Sequence, residues 1–571
     1  MRQPESQPEF VAEEVEVLDA TAKKRVPSGR RAWVPRFVIS LFAPLLLLGL
    51  VEVVLRMFGV GYPTEVTVPC TIQGRPAACY NLFFAAPFFP PGMIKTPQMY
   101  AIPAEKPPGT FRIFVLGESA AMGDPEPAFG FSRYLEVMLR ERYPNMKFEV
   151  VNTGSVAINS HVVLPIARGL ARHRPDLFII YSGNNEVVGP YGPGTALTSG
   201  GMSLPAIRGS IFYHSTRIGQ LLTKVGTPKR DWGGMAMFLD KQVRASSPLM
   251  QYAYANFERN LRDTIAVAKN AGARVIVSTV ATNLKDCAPF ASLHREALGP
   301  DALRSWSARV QQGGEQENAG SYAEALKSYL AAAAIDGEYA ELEFRIARSL
   351  AALGDYNASR EHFVRARELD TLRFRADSKI NDINRSVASS SPGVELIDAD
   401  QIFAKESANG VIGSELVYEH VHLTPEGSYL LARAMFLQIA NQLPSSAGHS
   451  QAEDVPSEAE CERWLAFTGH DHSRVVAEML RRLQEPPFTN QLNHSDQVLR
   501  LMMKAENSDE SPSDTAAQYQ WAIARSPGDR ILRFNYGVFL YPYNPAAAEQ
   551  QFGVARPCDG FPLVTPDGAV H

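Results

Sequence analysis

The chain has few cysteines and no excess of positive charge. Its five cysteines are scattered over 571 residues, and none has the C-x-x-C spacing of a metal site. Cys70 and Cys79 are close enough to close a small disulfide loop, which an oxidising compartment would permit. The formal net charge of -5 supplies no basic field for a nucleic acid. We therefore expect no metal centre built from cysteine and no nucleic-acid partner.

The N-terminus does not have the composition of a globular domain. Residues 1–36 end in a basic stretch and form a predicted cytoplasmic tail, and residues 37–62 begin with FVISLFAPLLLLGLVEVVL. Glu52 is the only charge in that run, and Arg56 follows at a spacing that allows the two to pair on a helix. About 20 apolar residues cross a bilayer, and flanking basic residues stay in the cytoplasm. We predict a single uncleaved anchor in the inner (cytoplasmic) membrane, with the rest of the chain periplasmic.

Short apolar runs alternate with helical patterns beyond a proline-rich stretch, residues 63–110, that is predicted to be a linker. Continuous apolar strands between amphipathic helices are typical of a parallel sheet covered on both faces. We therefore predict an α/β domain in two parts, residues 111–299 and 391–442, with ligands at the carboxyl edge of its sheet. The strand candidates are FRIFVLG (111–117), FEVVNTG (148–154), DLFIIYSG (176–183), ARVIVSTVA (273–281) and VELIDA (394–399).

A repeat separates the two parts of this domain, within residues 300–390. GSYAEALKSYLAAAAID (320–336) recurs as GDYNASREHFVRARELD (354–370), with its matching positions 34 residues apart. That period resembles tetratricopeptide repeats, which stack into concave surfaces for peptides or partner proteins. A weaker echo pairs Tyr519 with Phe552 inside a predicted helical C-terminal region, residues 443–571. Two roles stay open for these repeats: they bind a protein partner, or they pack on the α/β domain.

Ser119 follows the strand 111–117 directly, at the predicted carboxyl edge. A serine hydroxyl becomes a nucleophile only when a general base takes its proton. The G-x-S-x-G elbow of α/β-hydrolases is not matched, because Ala121 stands at its last position. A serine at the end of a strand is by itself more often a helix cap than a nucleophile.

The segment EHVHLTPEG supplies a candidate base. Thr424 and Pro425 form a predicted N-cap and first helical position, so His422 is presented on a loop before a helix. Glu419 lies three residues upstream, where its carboxylate can orient the imidazole. A metal site built on His420 and His422, with Glu419 nearby, is the alternative, although zinc would need a third protein ligand and an open position.

The segment YSGNNEVVGPYGPG supplies a candidate oxyanion donor in Asn185, whose amide follows a predicted strand. Together, Ser119, this block and His422 resemble the SGNH (GDSL-like) hydrolase superfamily. The resemblance implies a flavodoxin-like doubly wound sheet, with Ser119 as nucleophile and Asn185 in the oxyanion hole beside the Ser119 amide. Ala157 stands where the family has the glycine of its second block, and Gly154 is the other candidate for that backbone donor.

The resemblance implies a membrane-anchored serine esterase that works through an acyl-serine intermediate and needs no cofactor and no metal. Its expected substrate is an ester, such as an O-acylated or O-acetylated envelope glycan or a lipid. Two alternatives stay open. One is an O-acyltransferase that uses the same triad on exported polysaccharide, and the other is an interaction scaffold in envelope assembly that works through its repeats.

Overall fold

The computed structural model describes residues 29–94, 98–198, 200–226, 231–441, 443, 455–505 and 510–559. The described residues divide after Gly61 into two compact units. Most of the predicted cytoplasmic tail lies outside the described residues.

The first unit contains helix α1 (Gly29–Met57). Its described apolar side chains are largely exposed, and Arg56 donates to Glu52 at 2.8 Å, the pairing that their spacing predicts. Over the part of the chain that the structure describes, no helix combines the length and the apolar character needed to cross a membrane. The anchor therefore stays a prediction from the sequence.

The predicted linker contains a three-stranded antiparallel sheet instead of a purely extended chain. Its strands are β1 (Thr67–Ile72), β2 (Arg75–Tyr80) and β3 (Ala101–Pro103), paired in that order. Cys70 is bonded to Cys79 across the first hairpin, as their spacing predicts, and the sulfur of Cys558 also lies against that of Cys79. One sulfur forms only one such bond, so the three cysteines are a cluster with two alternative pairings through Cys79. Their location fixes the C-terminal segment beside the hairpin.

The main sheet has five parallel strands in the order β5-β4-β6-β7-β8. This is the flavodoxin-like order, in which two crossovers run in opposite directions from the first strand. The interior strand β4 reads TFRIFVLG, and its apolar side chains from Ile113 to Leu116 are fully buried. Burial on both faces explains why the interior strands β4, β6 and β7 are mostly apolar, whereas the edge strands β5 and β8 are partly exposed. The strands are β4 (Thr110–Gly117), β5 (Lys147–Asn152), β6 (Leu177–Tyr181), β7 (Arg274–Ser278) and β8 (Val394–Ile397).

Helices cover this sheet in two groups: α3 packs with α14, whereas α4 and α12 pack with α7. The α/β prediction is confirmed by this arrangement and by the strand order. The helices of this domain are α2 (Ser119–Met122), α3 (Phe131–Arg142), α4 (Ser160–Leu170), α5 (Leu204–Ser215), α6 (Arg217–Gly226), α7 (Leu249–Asn270), α12 (Ser378–Ser389), α13 (Ala399–Glu406) and α14 (Pro425–Ala440).

Two helical hairpins stand between β7 and α12, where the sequence predicts the repeats. They consist of α8 (Pro300–Asn318), α9 (Tyr322–Ala333), α10 (Ala340–Ala352) and α11 (Tyr356–Leu369). Gly320 and Gly354 lie at equivalent turns with φ of +74° and +83°, a conformation that favours glycine. The matching sequence positions therefore perform the same structural task.

The C-terminal region is helical, as predicted. It contains α15 (Glu458–Leu465), α16 (Gly469–Leu483), α17 (His494–Ala505), α18 (Pro512–Arg525), α19 (Arg530–Leu540) and α20 (Pro545–Ala555). Tyr519 and Phe552, the echoed pair, are both buried. A small residue faces an aromatic ring in both repeat regions, since Gly313 touches Tyr329 and Gly537 touches Phe552.

Candidate active site

Ser119 is the first residue of the short helix α2, two residues beyond the end of strand β4. Gly117 ends that strand with φ of +158°, and a Cβ there would lie 2.0 Å from the Tyr181 carbonyl oxygen. Only glycine allows this close approach of β4 to β6. The strand therefore ends tightly packed and leaves the Ser119 hydroxyl at the carboxyl edge of the sheet.

His422 comes to the same edge from the other part of the domain. Thr424 caps α14 by accepting a hydrogen bond from Gly427 N at 3.1 Å, so the histidine precedes the helix as predicted. Tyr418 N donates to the His422 carbonyl at 2.8 Å and fixes the loop. Nε2 of His422 lies 2.9 Å from Oγ of Ser119, although the two residues are 303 positions apart.

Glu419 lies behind the imidazole. Its carboxylate accepts from His422 Nδ1, from the His420 backbone N–H and from Val421 N at 2.9 Å. Burial alone would raise the pKa of Glu419, but the imidazoles of His420 and His422 outweigh it and hold this pKa well below its usual value. Glu419 is therefore a carboxylate that fixes the tautomer and orientation of His422.

The metal alternative depends on how the same three side chains face one another. Glu419, His420 and His422 offer ligand atoms within 4.8 Å of each other. The carboxylate, however, lies between the two imidazoles, in contact with His422 Nδ1 and 2.6 Å from His420 Nδ1. The remaining faces of the His420 ring pack against Phe290 and Phe488. The Glu419 carboxylate is used by His422 Nδ1 and by two backbone N–H groups, whereas His420 Nδ1 makes no hydrogen bond of good geometry within the described part of the chain. The arrangement favours a hydrogen-bonded Glu419–His422 pair over a coordination site.

The candidate oxyanion donors lie around Ser119. Asn185 and Ala157 line the same cavity as Ser119, and one amide hydrogen of Asn185 is used on the Ile158 carbonyl at 3.0 Å. Ala157 has φ of +59°, the left-handed conformation in which glycine is favoured. Gly154 N instead donates to the Asn152 side chain at 2.9 Å. Among the described residues, no acceptor is found for the backbone N–H of Ser119 or of Ala157.

Buried Glu118 connects the segment that carries Ser119 to the segment 182–185 that carries Asn185. Its carboxylate accepts from Ser182 Oγ, Gly183 N and Asn184 N, each at 2.9 Å. Burial raises the pKa of Glu118 to about 7 in spite of these donors. Glu118 therefore positions the loop that carries Asn185 beside Ser119.

Glu186 supports the same loop from the other side. It accepts from Ser160 N at 2.8 Å and from Ser160 Oγ at 2.7 Å. Burial and, to a smaller extent, the nearby Glu118 raise the pKa of Glu186 to about 8. The segment 183–186 is thus held at its start by the carboxyl group of Glu118 and at its end by that of Glu186.

The cavity in front of Ser119 has a volume of about 500 Å³. Its aromatic wall has no signal in the sequence, because these rings come from three separated places in the chain. Two further lining groups, Asp124 and Arg482, are also missed, and Arg482 belongs to the C-terminal helix α16. The aromatic residues are Trp232, Phe238, Phe374 and Phe488.

Comparison with known proteins adds little. No model of a known family matches the sequence, and no curated protein matches it. The chain is similar in structure to a GDSL-like lipase from Bacteroides thetaiotaomicron at 10% identity and a TM-score of 0.26, covering 58% of this chain and 89% of that one. An alpha/beta hydrolase enzyme from the metagenome of Lake Arreo, Spain, has 12% identity and a TM-score of 0.25, covering 61% and 97%. Likeness at this level carries no argument about function.

Proposed function

We propose that this protein is a serine esterase of the SGNH type. The observation that carries the proposal is the chain of contacts from Ser119 Oγ to His422 Nε2 at 2.9 Å and from His422 Nδ1 to Glu419. A nucleophile, a base and a group that orients the base are the elements that acyl transfer through a serine requires.

In the proposed reaction His422 takes the Ser119 proton while Oγ attacks the ester carbonyl. The tetrahedral oxyanion accepts hydrogen bonds from the Ser119 and Ala157 amides and from the free amide hydrogen of Asn185. His422 then gives its proton to the departing alkoxide, and the C–O bond of the ester breaks to leave an acyl-serine. His422 next takes a proton from water, which attacks the carbonyl of the acyl-serine. The bond between the acyl carbon and Oγ then breaks, His422 returns the proton to Ser119 Oγ, and the acid leaves. Each oxyanion donor is worth about 3 kcal/mol of transition-state stabilisation.

An O-acyltransferase would use the same residues, with a sugar hydroxyl in the place of water. For the location, we propose the outer side of the inner membrane, on the basis of the apolar run 37–62 and the basic residues before it. Extraction of cell membranes with carbonate tests this: recovery of the chain in the pellet supports an anchor, and recovery in the supernatant contradicts it.

The experiment that tests the function is hydrolysis of p-nitrophenyl acetate by the full-length chain, together with labelling of Ser119 by a fluorophosphonate. We expect Ser119→Ala and His422→Ala to lower turnover by at least about 10⁴-fold, because nucleophile and base act as a unit. Ser203→Ala is the matched control, since that hydroxyl makes no capping hydrogen bond at α5.

An inactive, unlabelled wild-type chain with a cooperative unfolding transition would overturn the esterase proposal. Faster release of p-nitrophenol on addition of a glycan acceptor, with acylated glycan as the product, would favour the transferase instead.

A further inference from the structure

The imidazole nitrogen that faces Ser119 has a second partner. Asp124 follows α2, and its backbone N donates to the Ser119 carbonyl at 3.1 Å. Its Oδ2 lies 3.1 Å from His422 Nε2. His422 is therefore flanked by two carboxylates, Glu419 at Nδ1 and Asp124 at Nε2.

Asp124 is itself held by the C-terminal region. Arg482, in the last turn of α16, donates from Nη2 to Asp124 Oδ1 at 3.1 Å and from Nη1 to Oδ2. The same guanidinium donates from Nε to Glu478 at 2.7 Å, so it is fixed from both sides. Asp124 and Arg482 are 358 positions apart and largely buried, with side chains 10% and 25% exposed.

We propose that Asp124 and Arg482 are positioning residues for His422, and that α16 thereby completes the active site. The proposal rests on the esterase function proposed above. Asp124 gives the Nε2–H of the imidazolium an acceptor while the proton is held between Ser119 and the leaving group. Arg482 fixes that carboxylate and offsets its charge, so that His422 returns to its neutral, basic form.

The charges around His422 determine the direction in which each substitution should shift the pKa of this histidine. Burial lowers the pKa of His422, but the charges of Glu419 and Asp124 outweigh burial, so the pKa is raised above its usual value, while Arg482 opposes them. His420 lies 5.5 Å away ring to ring, and Glu478, Arg481 and Glu485 of the C-terminal region line the same cavity. Asp124 thus raises the pKa of His422, and Arg482 lowers it.

The test is the rate of Ser119 labelling by a fluorophosphonate as a function of pH, measured on the full-length chain. Labelling needs neutral His422, so the rate rises with pH through the pKa of this histidine. Asp124→Asn removes a charge that stabilises the imidazolium, and the midpoint should fall by about one pH unit. Arg482→Gln leaves the Asp124 charge uncompensated, and the midpoint should rise by about as much.

Arg474→Gln is the matched control. Arg474 also lies on α16, is 27% exposed, and pairs with Glu126 at 3.1 Å in the same loop that carries Asp124. Its loss removes the same charge and a similar bridge but does not touch Asp124, so the midpoint should stay at the wild-type value. The double variant Asp124→Asn with Arg482→Gln should move back toward the wild-type midpoint, because the two effects share one contact.

Opposite shifts with an unmoved control support the inference. Labelled variants with the wild-type midpoint, or shifts in one common direction, overturn it. If the wild-type chain is not labelled at all, the esterase proposal fails separately. A titration of His422 followed by NMR on histidine-labelled protein then decides whether the two side chains act on the imidazole.

Discussion

Two buried carboxylates at the edge of the main sheet are held differently from two in the helical additions, residues 300–369 and 458–555. In the α/β domain Glu118 and Glu186 face N–H and O–H donors, and no arginine or lysine pairs with either in the described part of the chain. In the additions, Glu317 pairs with Arg345 at 3.3 Å and Asp471 with Arg474 at 3.3 Å.

The difference separates geometry from stability. Donors without a cation set the loop beside Ser119 in place, but burial still raises the pKa of Glu118 to about 7 and that of Glu186 to about 8. Arginine pairs satisfy both charges and fasten helices to their neighbours. We infer that the buried carboxylates at the sheet edge lower the stability of the fold while they fix the loop beside Ser119. The arginine pairs of the additions instead hold helices together.

The largest effect should come from breaking the buried pair Asp370–Arg375, which lies where the chain leaves the first addition, between α11 and α12. Arg375 donates to Asp370 at 3.1 Å and to the carbonyls of Asn283 and Cys287, and the paired side chains are only 2% and 3% exposed. Arg375→Leu should lower the free energy of unfolding by about 3–5 kcal/mol, because it leaves a buried charge alone. Urea unfolding followed by circular dichroism measures this.

The control for that experiment is Arg304→Leu, which breaks an exposed pair with Asp301. It should change the free energy of unfolding by less than about 1 kcal/mol. Equal losses in the two variants would mean that the buried pair has no special role.

The cost at the sheet edge predicts a pH dependence. Below about pH 4.5 Glu118 is protonated in both the folded and the unfolded state. As pH rises from 4.5 to about 7, the unfolded state ionises first, so this group lowers the free energy of unfolding by about 3 kcal/mol.

Glu118→Gln should flatten the decline in the free energy of unfolding over that pH window, as measured by urea unfolding at a series of pH values. Exposed Glu324→Gln should leave the slope as it is, and parallel curves for Glu118→Gln would contradict the prediction.

A smaller effect should come from a substitution inside the helical hairpins that lowers stability without changing the reactivity of Ser119. A Cβ on Gly313 would lie 2.4 Å from the Tyr329 ring, so Gly313→Ala should cost about 1–3 kcal/mol of stability through overpacking. Gly314→Ala, one position on, meets nothing closer than 3.9 Å and should be neutral or stabilising. Neither variant should alter Ser119 labelling of the folded chain; a change in that rate would show that the first addition also shapes the site.

The smallest effect distinguishes the two additions from each other. Phe488, in the second addition, lines the cavity, whereas Phe363 of the first is equally buried but contacts Phe344. Replacing either by leucine should cost about 1 kcal/mol of stability. Only Phe488→Leu should also change KM for p-nitrophenyl esters of increasing acyl length. If Phe488→Leu and the wild-type chain have the same KM for every acyl length, the side chain of Phe488 takes no part in substrate binding.

Local signals in the sequence reach far into the site. A strand that ends in glycine predicts the place of Ser119, and the Thr424 cap predicts the loop of His422. Asp124 and Arg482 have no such signal, because their contact joins α16, whose pattern is that of a surface helix, to a loop 358 positions earlier. The short strands β1 to β3 are hidden for a related reason: proline in this stretch resembles a linker, and their pairing is decided by tertiary contacts.

The separation of Ser119 and His422 by 303 positions also has a consequence during synthesis. At 5–20 residues per second, a ribosome needs about 15 to 60 s to add the second residue after the first. Throughout that interval the serine has no base, and α16 arrives later still. Under the proposed function, acyl transfer therefore becomes available only to a chain translated at least as far as His422, and a shorter nascent chain carries the hydroxyl without its base.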